Sequence, residues 1–313
     1  AVNLEPKSSK LSKILGENSM KIQHLERVEN MPSVVYHSHG FTSASQLKKI
    51  ASTSLAHFKH ERENPKEQTP ALIFGSAYHT LILEPEKFAD EYFTLDRDAM
   101  PYPDKDFRNS DNKAWKEDVL ARNSDKTYLS PEDFITLYEM KAALELYPNF
   151  IFLLKNGVAE ESYFAEIDGM GVRVRPDYVS KFGIVDLKTC QDASPEAFGR
   201  DAAKMRYLIQ AALYTDVVST FQAHETIGRG EHYEGDVLPF FFLAQEKTAP
   251  YIPQMYRVPS YLIEAGRAQY EDVLKQLFTA QTTDVWQGYE GLEENDGIRD
   301  LQFPVWALKG VEL

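Results

Sequence analysis

Cysteine is nearly missing from this sequence, because Cys190 is the one thiol among 313 residues. This excludes a disulfide framework and any metal cluster that needs four thiolates. Long apolar runs are missing too: no stretch approaches the ~18 uncharged residues of a membrane span, and the polar N-terminal segment lacks the apolar core of a signal peptide. We therefore expect a soluble, cytoplasmic protein with no membrane partner.

Positive charge is outnumbered by negative charge. The 34 Lys and Arg residues stand against 48 Asp and Glu residues, which gives a net charge of −14. This balance argues against a nucleic-acid partner, since binding to phosphates draws on Lys and Arg. The argument weakens if some carboxylates hold a divalent cation, because a bound cation inverts the local field. Net charge alone therefore decides nothing.

What is present is an ordinary folded composition, with 43% hydrophobic residues. The length fits one or two domains. Residues 1–33 are polar and weakly patterned, and we expect a flexible arm there. The remaining residues, 34–313, are expected to form a single domain with a helical front over 34–157 and a sheet core over 158–313.

Helices dominate the front half of the chain. The pattern predicts a helix over 41–62, with Ser43 or Ser45 at its N-cap, and a buried helix over 70–83 that begins at a proline. Helical periodicity returns over 194–224 and again after residue 260.

Strand-like alternation begins at residue 158. Segments 158–167, 171–180 and 183–189 predict three strands, joined by tight turns at Asp168-Gly169 and at 181–183. Two more strands are predicted before the last helix. The fold class is therefore α+β, with a central mixed sheet flanked by helices.

Charged residues interrupt two of these apolar strands. Asp177 lies near Asp186 across the second turn, and Asp186 and Lys188 project from one strand face. Two carboxylates and an ammonium are costly to bury without a partner. A divalent cation bound by both aspartates, water and the backbone carbonyl of Leu187 would supply one. The alternative is a hairpin with a surface salt bridge, in which Asp177 serves the turn.

Pro176-Asp177 followed by Asp186-Leu187-Lys188 resembles the motif of the PD-(D/E)XK nucleases. The wider sequence is similar to the exonuclease VIII (RecE-type) branch, which belongs with the RecB-like phage recombination exonucleases, from about residue 34 to the Trp-Ala-Leu segment near the C-terminus. The segments that carry this likeness are FTSASQL, LIFGSAYHTLILEPEKF, AEESYF, RVRPD, VDLKT and YLIQAALY.

This resemblance implies a restriction-endonuclease-like core and a metal-dependent exodeoxyribonuclease. It implies 5′→3′ degradation of linear double-stranded DNA, which leaves 3′ overhangs for a single-strand annealing protein. The expected cofactor is Mg²⁺, with Mn²⁺ able to substitute and two ions per site. Members of the family form rings, so we expect a homo-oligomeric ring, with a tetramer favoured over a trimer.

The resemblance also implies roles for particular residues. The catalytic set is Lys188, Asp177, Asp186, Glu160, Gln210 and Tyr214. The metal ligands are His79, Asp177, Asp186 and the Leu187 carbonyl. Candidate DNA contacts are Ser43, Ser45, Arg173, Arg175 and Arg206.

Each of these roles has a structural alternative. His79 could be a core histidine, and Gln210 and Tyr214 could mark a half-buried helix face. Glu161 competes with Glu160, because strand alternation lets only one of the two face the site. The serines could serve as helix caps, and the arginines could be surface charges.

Two other functions are compatible with the same motif. One is a structure-specific or repair endonuclease on the same fold, and the other is a non-catalytic DNA-binding module. The intact set of Asp177, Asp186 and Lys188 favours an active enzyme, because a binding scaffold has no need for a buried charged trio.

Overall fold

The computed structural model describes residues 21–230, 237–289 and 300–301. Two larger sheets and one short sheet form in this part of the chain, and helices flank them. The predicted α+β class is therefore confirmed. Within the same ranges, no helix has both the length and the apolar character that crossing a bilayer requires.

Helices and strands occur both before and after residue 158. The helices are α1 (Ser33–Ser38), α2 (Ala44–Ser52), α3 (Leu55–Glu63), α4 (Pro70–Leu83), α5 (Pro85–Glu91), α6 (Ser110–Arg122), α7 (Pro131–Glu145), α8 (Pro148–Leu153), α9 (Pro195–Lys204), α10 (Tyr207–Gly228) and α11 (Ser260–Thr283). The strands are β1 (Ile22–Val28), β2 (Thr42–Ser43), β3 (Tyr92–Phe93), β4 (Thr127–Tyr128), β5 (Gly157–Ala159), β6 (Ser162–Ile167), β7 (Met170–Val174), β8 (Tyr178–Ser180), β9 (Gly183–Cys190), β10 (Phe240–Glu246) and β11 (Pro253–Val258).

The four-stranded sheet has the order β1-β6-β7-β2. Strands β6 and β7 are antiparallel and turn at Asp168-Gly169, where both residues have positive φ (46° and 81°), as a tight hairpin turn requires. This predicted hairpin is confirmed. β1 pairs antiparallel with β6 at one edge.

The predicted flexible arm over 1–33 is wrong from residue 22 onwards, because β1 belongs to this sheet. Only Ile22 of β1 is buried. The sequence of an edge strand with such a polar, exposed pattern resembles that of a loop. Residues 1–20 of the predicted arm lie outside the described residues, as does the Trp-Ala-Leu segment.

The five-stranded sheet has the order β11-β10-β9-β8-β5. Its pairs are antiparallel except β9 with β10, and these two parallel strands are connected through α9 and α10. The hairpin predicted at 181–183 joins β8 to β9. Helices cover both faces, which is why β9 has apolar residues on both of its sides.

Two predicted strands are each split in the structure. Segment 158–167 divides into β5 and β6 around Glu160, whose φ is 53°. Segment 171–180 divides into β7 and β8 at Pro176, which has no N–H to donate to a ladder. At each break the chain passes from one of the larger sheets to the other. Alternation continues through the second break, at Val172, Val174, Pro176 and Tyr178, so the sequence pattern does not reveal it. The first break falls in the polar run at 160–162, which the strand prediction spanned.

Two predicted helices are also split. The helix expected over 41–62 forms α2 and α3, with Ser54 accepting a hydrogen bond from the backbone N–H of His57 at the start of α3. The helix expected over 194–224 forms α9 and α10, separated by Arg206 with φ 54°. The helix predicted over 70–83 has these bounds in the structure.

Helices α10 and α11 pack so closely that their backbones touch. A Cβ on Gly266 would lie 2.1 Å from the carbonyl oxygen of Leu208. Beside this contact, Arg267 of α11 donates two hydrogen bonds (2.8 and 2.6 Å) to the buried carboxylate of Asp216, and Tyr270 donates a third (2.7 Å). These contacts fix the position of α10 in the core.

We predict opposite effects for two Gly→Ala substitutions in helices. Gly266→Ala forces the two backbones apart and should lower the free energy of unfolding by about 1–3 kcal/mol. Gly199→Ala in α9 meets no atom within 4 Å, and should raise it by about 0.5–1 kcal/mol through lost freedom of the unfolded chain. Urea titration checks both. Equal effects would contradict the helix contact.

Candidate functional site

Three elements deliver one side chain each to the same point. Glu160 lies where β5 leads into β6, Asp177 lies where β7 leads into β8, and His79 lies on α4. A backbone hydrogen bond from Glu160 N–H to the Asp177 carbonyl (3.1 Å) joins the two sheet crossings. As a result, one nitrogen or oxygen ligand atom from each side chain lies within 4.8 Å of the others.

His79 is oriented by the backbone of β9. Its Nε2 lies 3.0 Å from the Leu187 carbonyl oxygen. A carbonyl can only accept, so Nε2 carries the hydrogen, and Nδ1 lies 3.5 Å from Asp177 Oδ1. The His79 side chain is 25% exposed, so His79 is not enclosed in the core. The carbonyl of Leu187 is engaged by His79 but keeps a second lone pair, so its role as a metal ligand stays a prediction.

The carboxylates of the cluster repel each other. Burial first, and then the charge of Asp186, raise the pKa of Asp177 to about 6, against the opposing effects of His79 and Lys188. Burial and Asp177 raise the pKa of Glu160 to about 8, with Arg175 opposing. Acids crowded beside an imidazole nitrogen fit a divalent cation, which favours oxygen and imidazole ligands.

Asp186 is a separate, completely buried carboxylate next to this cluster. Gln210 Nε2 donates a hydrogen bond to Oδ1. Lys188 Nζ forms an ion pair with the other oxygen, Oδ2. Burial lowers the pKa of Lys188, but Asp186 and Asp177 outweigh it and the net direction is upward, so Lys188 is an ammonium.

This burial removes the surface salt-bridge alternative, because Asp186 has no exposed surface and Asp177 is 7% exposed. The structure brings Asp177, Asp186 and Lys188 together, as predicted. It does not bring Asp186 into the three-residue cluster of His79, Glu160 and Asp177, so its role as a ligand stays a prediction.

The choice between the two adjacent glutamates follows from their partners. Glu160 joins the cluster, whereas Glu161 accepts a hydrogen bond from Tyr163 (2.7 Å) and lies 3.9 Å from Arg27. The backbone bend at Glu160 separates the directions of the two side chains. Glu160 is therefore the candidate ligand.

A cleft of about 1090 Å³ opens onto these residues. The predicted site residues that line it are Ser43, Ser45, His79, Glu160, Arg175, Asp177, Leu187, Lys188, Gln210 and Tyr214. Gln210 and Tyr214 lie on one face of α10, as their spacing predicts. The cleft is also lined by residues that the sequence did not indicate: Tyr36, His37, Lys48 and Tyr207.

Two predicted DNA contacts are not brought to this cleft. Arg173 is buried, donates to the His39 carbonyl and lies 5.0 Å from the ring centre of Tyr36. Arg206 is exposed and lines a different groove beside α11. Both were predicted as DNA contacts because they carry positive charge close to the motif in the sequence. The sequence does not determine which way each side chain points.

The remaining predicted contacts do lie at the cleft. Arg175 donates to the Met31 carbonyl (2.9 Å) and to Ser162, and its guanidinium lies 4.1 Å from the ring centre of Tyr36. Ser43 forms a capping box with Gln46 at the start of α2, so the capping alternative is correct for Ser43 even though it lines the cleft. Ser45 is exposed.

The fold and the motif together define a PD-(D/E)XK nuclease-like protein. Comparisons with known proteins agree with this class. A family model described as "PDDEXK-like domain of unknown function (DUF3799)" matches residues 43–295. The chain belongs to this family, and therefore to the PD-(D/E)XK nuclease superfamily, as the motif predicts.

One solved structure, described as a "Putative exonuclease" from Eubacterium rectale, is similar over 90% of this chain and 98% of its own, with a TM-score of 0.59 and 16% identity. At that identity the likeness concerns the fold. No curated protein matches the chain.

The raised pKa values predict how stability depends on pH without metal. Glu160 and Asp177 hold their protons to higher pH when folded, so stability should fall as pH rises from about 4.5 to about 8 for Glu160 and from about 3.8 to about 6 for Asp177. In EDTA, Glu160→Gln should therefore be more stable than wild type near pH 8, by on the order of 1 kcal/mol. At pH 4.5 the difference should vanish.

The stability of both proteins is measured by thermal unfolding across this pH range, with and without Mn²⁺. Mn²⁺ should stabilise wild type more than Glu160→Gln. Glu166→Gln on β6 is the matched control, because Glu166 lies outside the cluster. A Glu160→Gln curve parallel to wild type at every pH would refute the crowding of acids.

Proposed function

We propose that this protein is a Mg²⁺-dependent exodeoxyribonuclease that hydrolyses phosphodiester bonds of linear double-stranded DNA. One observation carries the proposal: His79, Glu160 and Asp177 converge beside the buried pair of Asp186 and Lys188, in one cleft. The membership in a PD-(D/E)XK-like family supports hydrolysis of nucleic acid, and the name of the Eubacterium rectale neighbour supports an exonuclease.

His79, Glu160 and Asp177 would hold the cation, with Asp186 adjacent, and Mn²⁺ would substitute for Mg²⁺. When bound, one or two such ions supply charge neutralisation and acidify water, which is the chemistry that phosphodiester hydrolysis needs. The chain's own residues supply position and charge. His79 is held in one orientation by the Leu187 carbonyl, and Asp177 is held by the Leu187 N–H (2.6 Å).

Lys188 is the catalytic cation in this proposal. Its ammonium is fixed by Asp186 and lines the cleft, where it can orient the attacking water and stabilise negative charge on the phosphate. Gln210 holds the other oxygen of Asp186 and so keeps Lys188 in place. Tyr214 closes the same wall of the cleft, and Arg175 is available to a phosphate of the strand.

The direction of digestion and the partners follow from the resemblance to the RecE-type enzymes. We propose 5′→3′ degradation that leaves a 3′ single strand for an annealing protein. A homo-oligomeric ring, tetrameric rather than trimeric, would enclose the DNA. Such a ring accommodates the net charge of −14, since a locally basic channel needs no basic exterior.

We predict that Lys188→Met lowers cleavage of linear duplex by at least about 100-fold, the loss typical for removal of one group that stabilises developing charge. Binding of Mn²⁺, measured by calorimetry, should persist because Lys188 is no ligand. Lys181→Met, at the exposed turn of the same hairpin, should cleave like wild type. Near-normal turnover by Lys188→Met would remove Lys188 from the mechanism.

A second prediction separates the possible activities. Linear duplex should be degraded with Mg²⁺, covalently closed duplex should survive, and EDTA should stop degradation. A label at the 5′ end should be released early. Cleavage of the closed circle would identify an endonuclease, and binding without cleavage in Mg²⁺ and Mn²⁺ would identify a non-catalytic DNA-binding module.

A further inference from the structure

Helix α2 contributes a cation to the cleft that the nuclease motif does not contain. Ser45 and Lys48 are one turn apart on this helix, and both line the cleft. Lys48 Nζ donates a hydrogen bond to Gln210 Oε1 (2.8 Å) and lies 5.3 Å from the ring centre of Tyr207. Helix α2 is thereby tied to α10.

Gln210 connects Lys48 to the catalytic pair. Its oxygen accepts from Lys48 and its nitrogen donates to Asp186, and this assignment is the one that charge requires, since an ammonium only donates and a carboxylate only accepts. Lys188 Nζ lies 5.1 Å from the centre of the same Tyr207 ring. Two ammonium groups therefore share one wall of the cleft.

The ammonium of Lys48 has no direct ion-pair partner among the described residues. Across the ranges that the structure describes, no carboxylate oxygen lies within ion-pair distance of Lys48 Nζ, which is half-buried. Burial and the charge of Lys188 lower the pKa of Lys48 to about 8, with Asp186 and Asp177 opposing. A half-buried cation without a counter-ion is costly.

The neighbouring residue shows the contrast. Lys49 forms an ion pair with Glu61 (2.7 Å) and does not line the cleft. The next residue along α2 thus has a partner on the protein, while Lys48 has an amide oxygen and an aromatic face. An anion in the cleft would complete the surroundings of Lys48.

We infer that Lys48 contacts a backbone phosphate of the substrate strand, next to the phosphate that Lys188 serves. This inference rests on the proposed function for its substrate. Gln210 contacts Lys48 directly and Lys188 through Asp186, and so sets the spacing of the two lysines. Lys188 then acts at the reacting phosphate, and Lys48 holds the neighbouring phosphate. The contact is electrostatic and carries no base preference.

The test compares Lys48→Met with Lys49→Met. Binding of a short fluorescein-labelled linear duplex is measured by anisotropy in EDTA over a range of salt concentrations. Lys48→Met should weaken binding about tenfold and reduce the slope of log affinity against log salt by about one. Lys49→Met should match wild type in both. Lys48→Arg should restore the slope, which a purely structural role of Lys48 would not explain.

Kinetics and stability complete the test. With Mg²⁺, Lys48→Met should raise KM for the duplex more than it lowers kcat, and its affinity for Mn²⁺ should be unchanged. If Lys48→Met lowers Tm far more than Lys49→Met does, the salt slope is measured on Lys48→Gln, which keeps a hydrogen bond to Gln210 without charge.

The two proposals fail separately. If wild type cleaves linear duplex while Lys48→Met and Lys49→Met share the wild-type slope and KM, the Lys48 contact is refuted and the nuclease function stands. If wild type binds duplex without cleaving it and Lys48→Met still loses one unit of slope, the nuclease function is refuted and the phosphate contact stands.

Discussion

The site depends on one backbone constraint, the hydrogen bond between Glu160 N–H and the Asp177 carbonyl. It joins the two points at which the chain crosses between its larger sheets. Glu160 takes up a positive φ and Pro176 interrupts its ladder, and these breaks turn two neighbouring carboxylates away from the strand pattern and toward α4. The irregular backbone therefore builds the ligand cluster, while the regular strand β9 supplies Asp186 and Lys188.

Electrostatics explains why an acidic chain can suit an anionic substrate. The negative groups of the cleft are crowded and partly protonated, as the raised pKa values of Asp177 and Glu160 indicate. A cation bound in that cluster would, together with Lys188 and Lys48, change the local sign, whatever the total charge of the molecule. Net charge describes solubility and long-range attraction better than it describes a site of this size.

Sequence reasoning recovered what local pattern and chemical type encode. The Asp168-Gly169 turn, the helix beginning at Pro70 and the charged trio around the β8–β9 hairpin can be predicted from the sequence, because each depends on neighbours in the chain. Strand β1 was missed because one buried residue is too weak a signal. Lys48 was missed because its partner Gln210 is 162 residues away, and the directions of Arg173 and Arg206 depend on tertiary packing.

The first strand and helix have a practical consequence for anyone who prepares this protein. Met31 supplies the carbonyl that holds Arg175, and Tyr36 lies against the same guanidinium. A shortened version designed to begin at residue 34 would discard a sheet edge and loosen one side of the cleft, although the sequence pattern of that segment predicts a flexible arm.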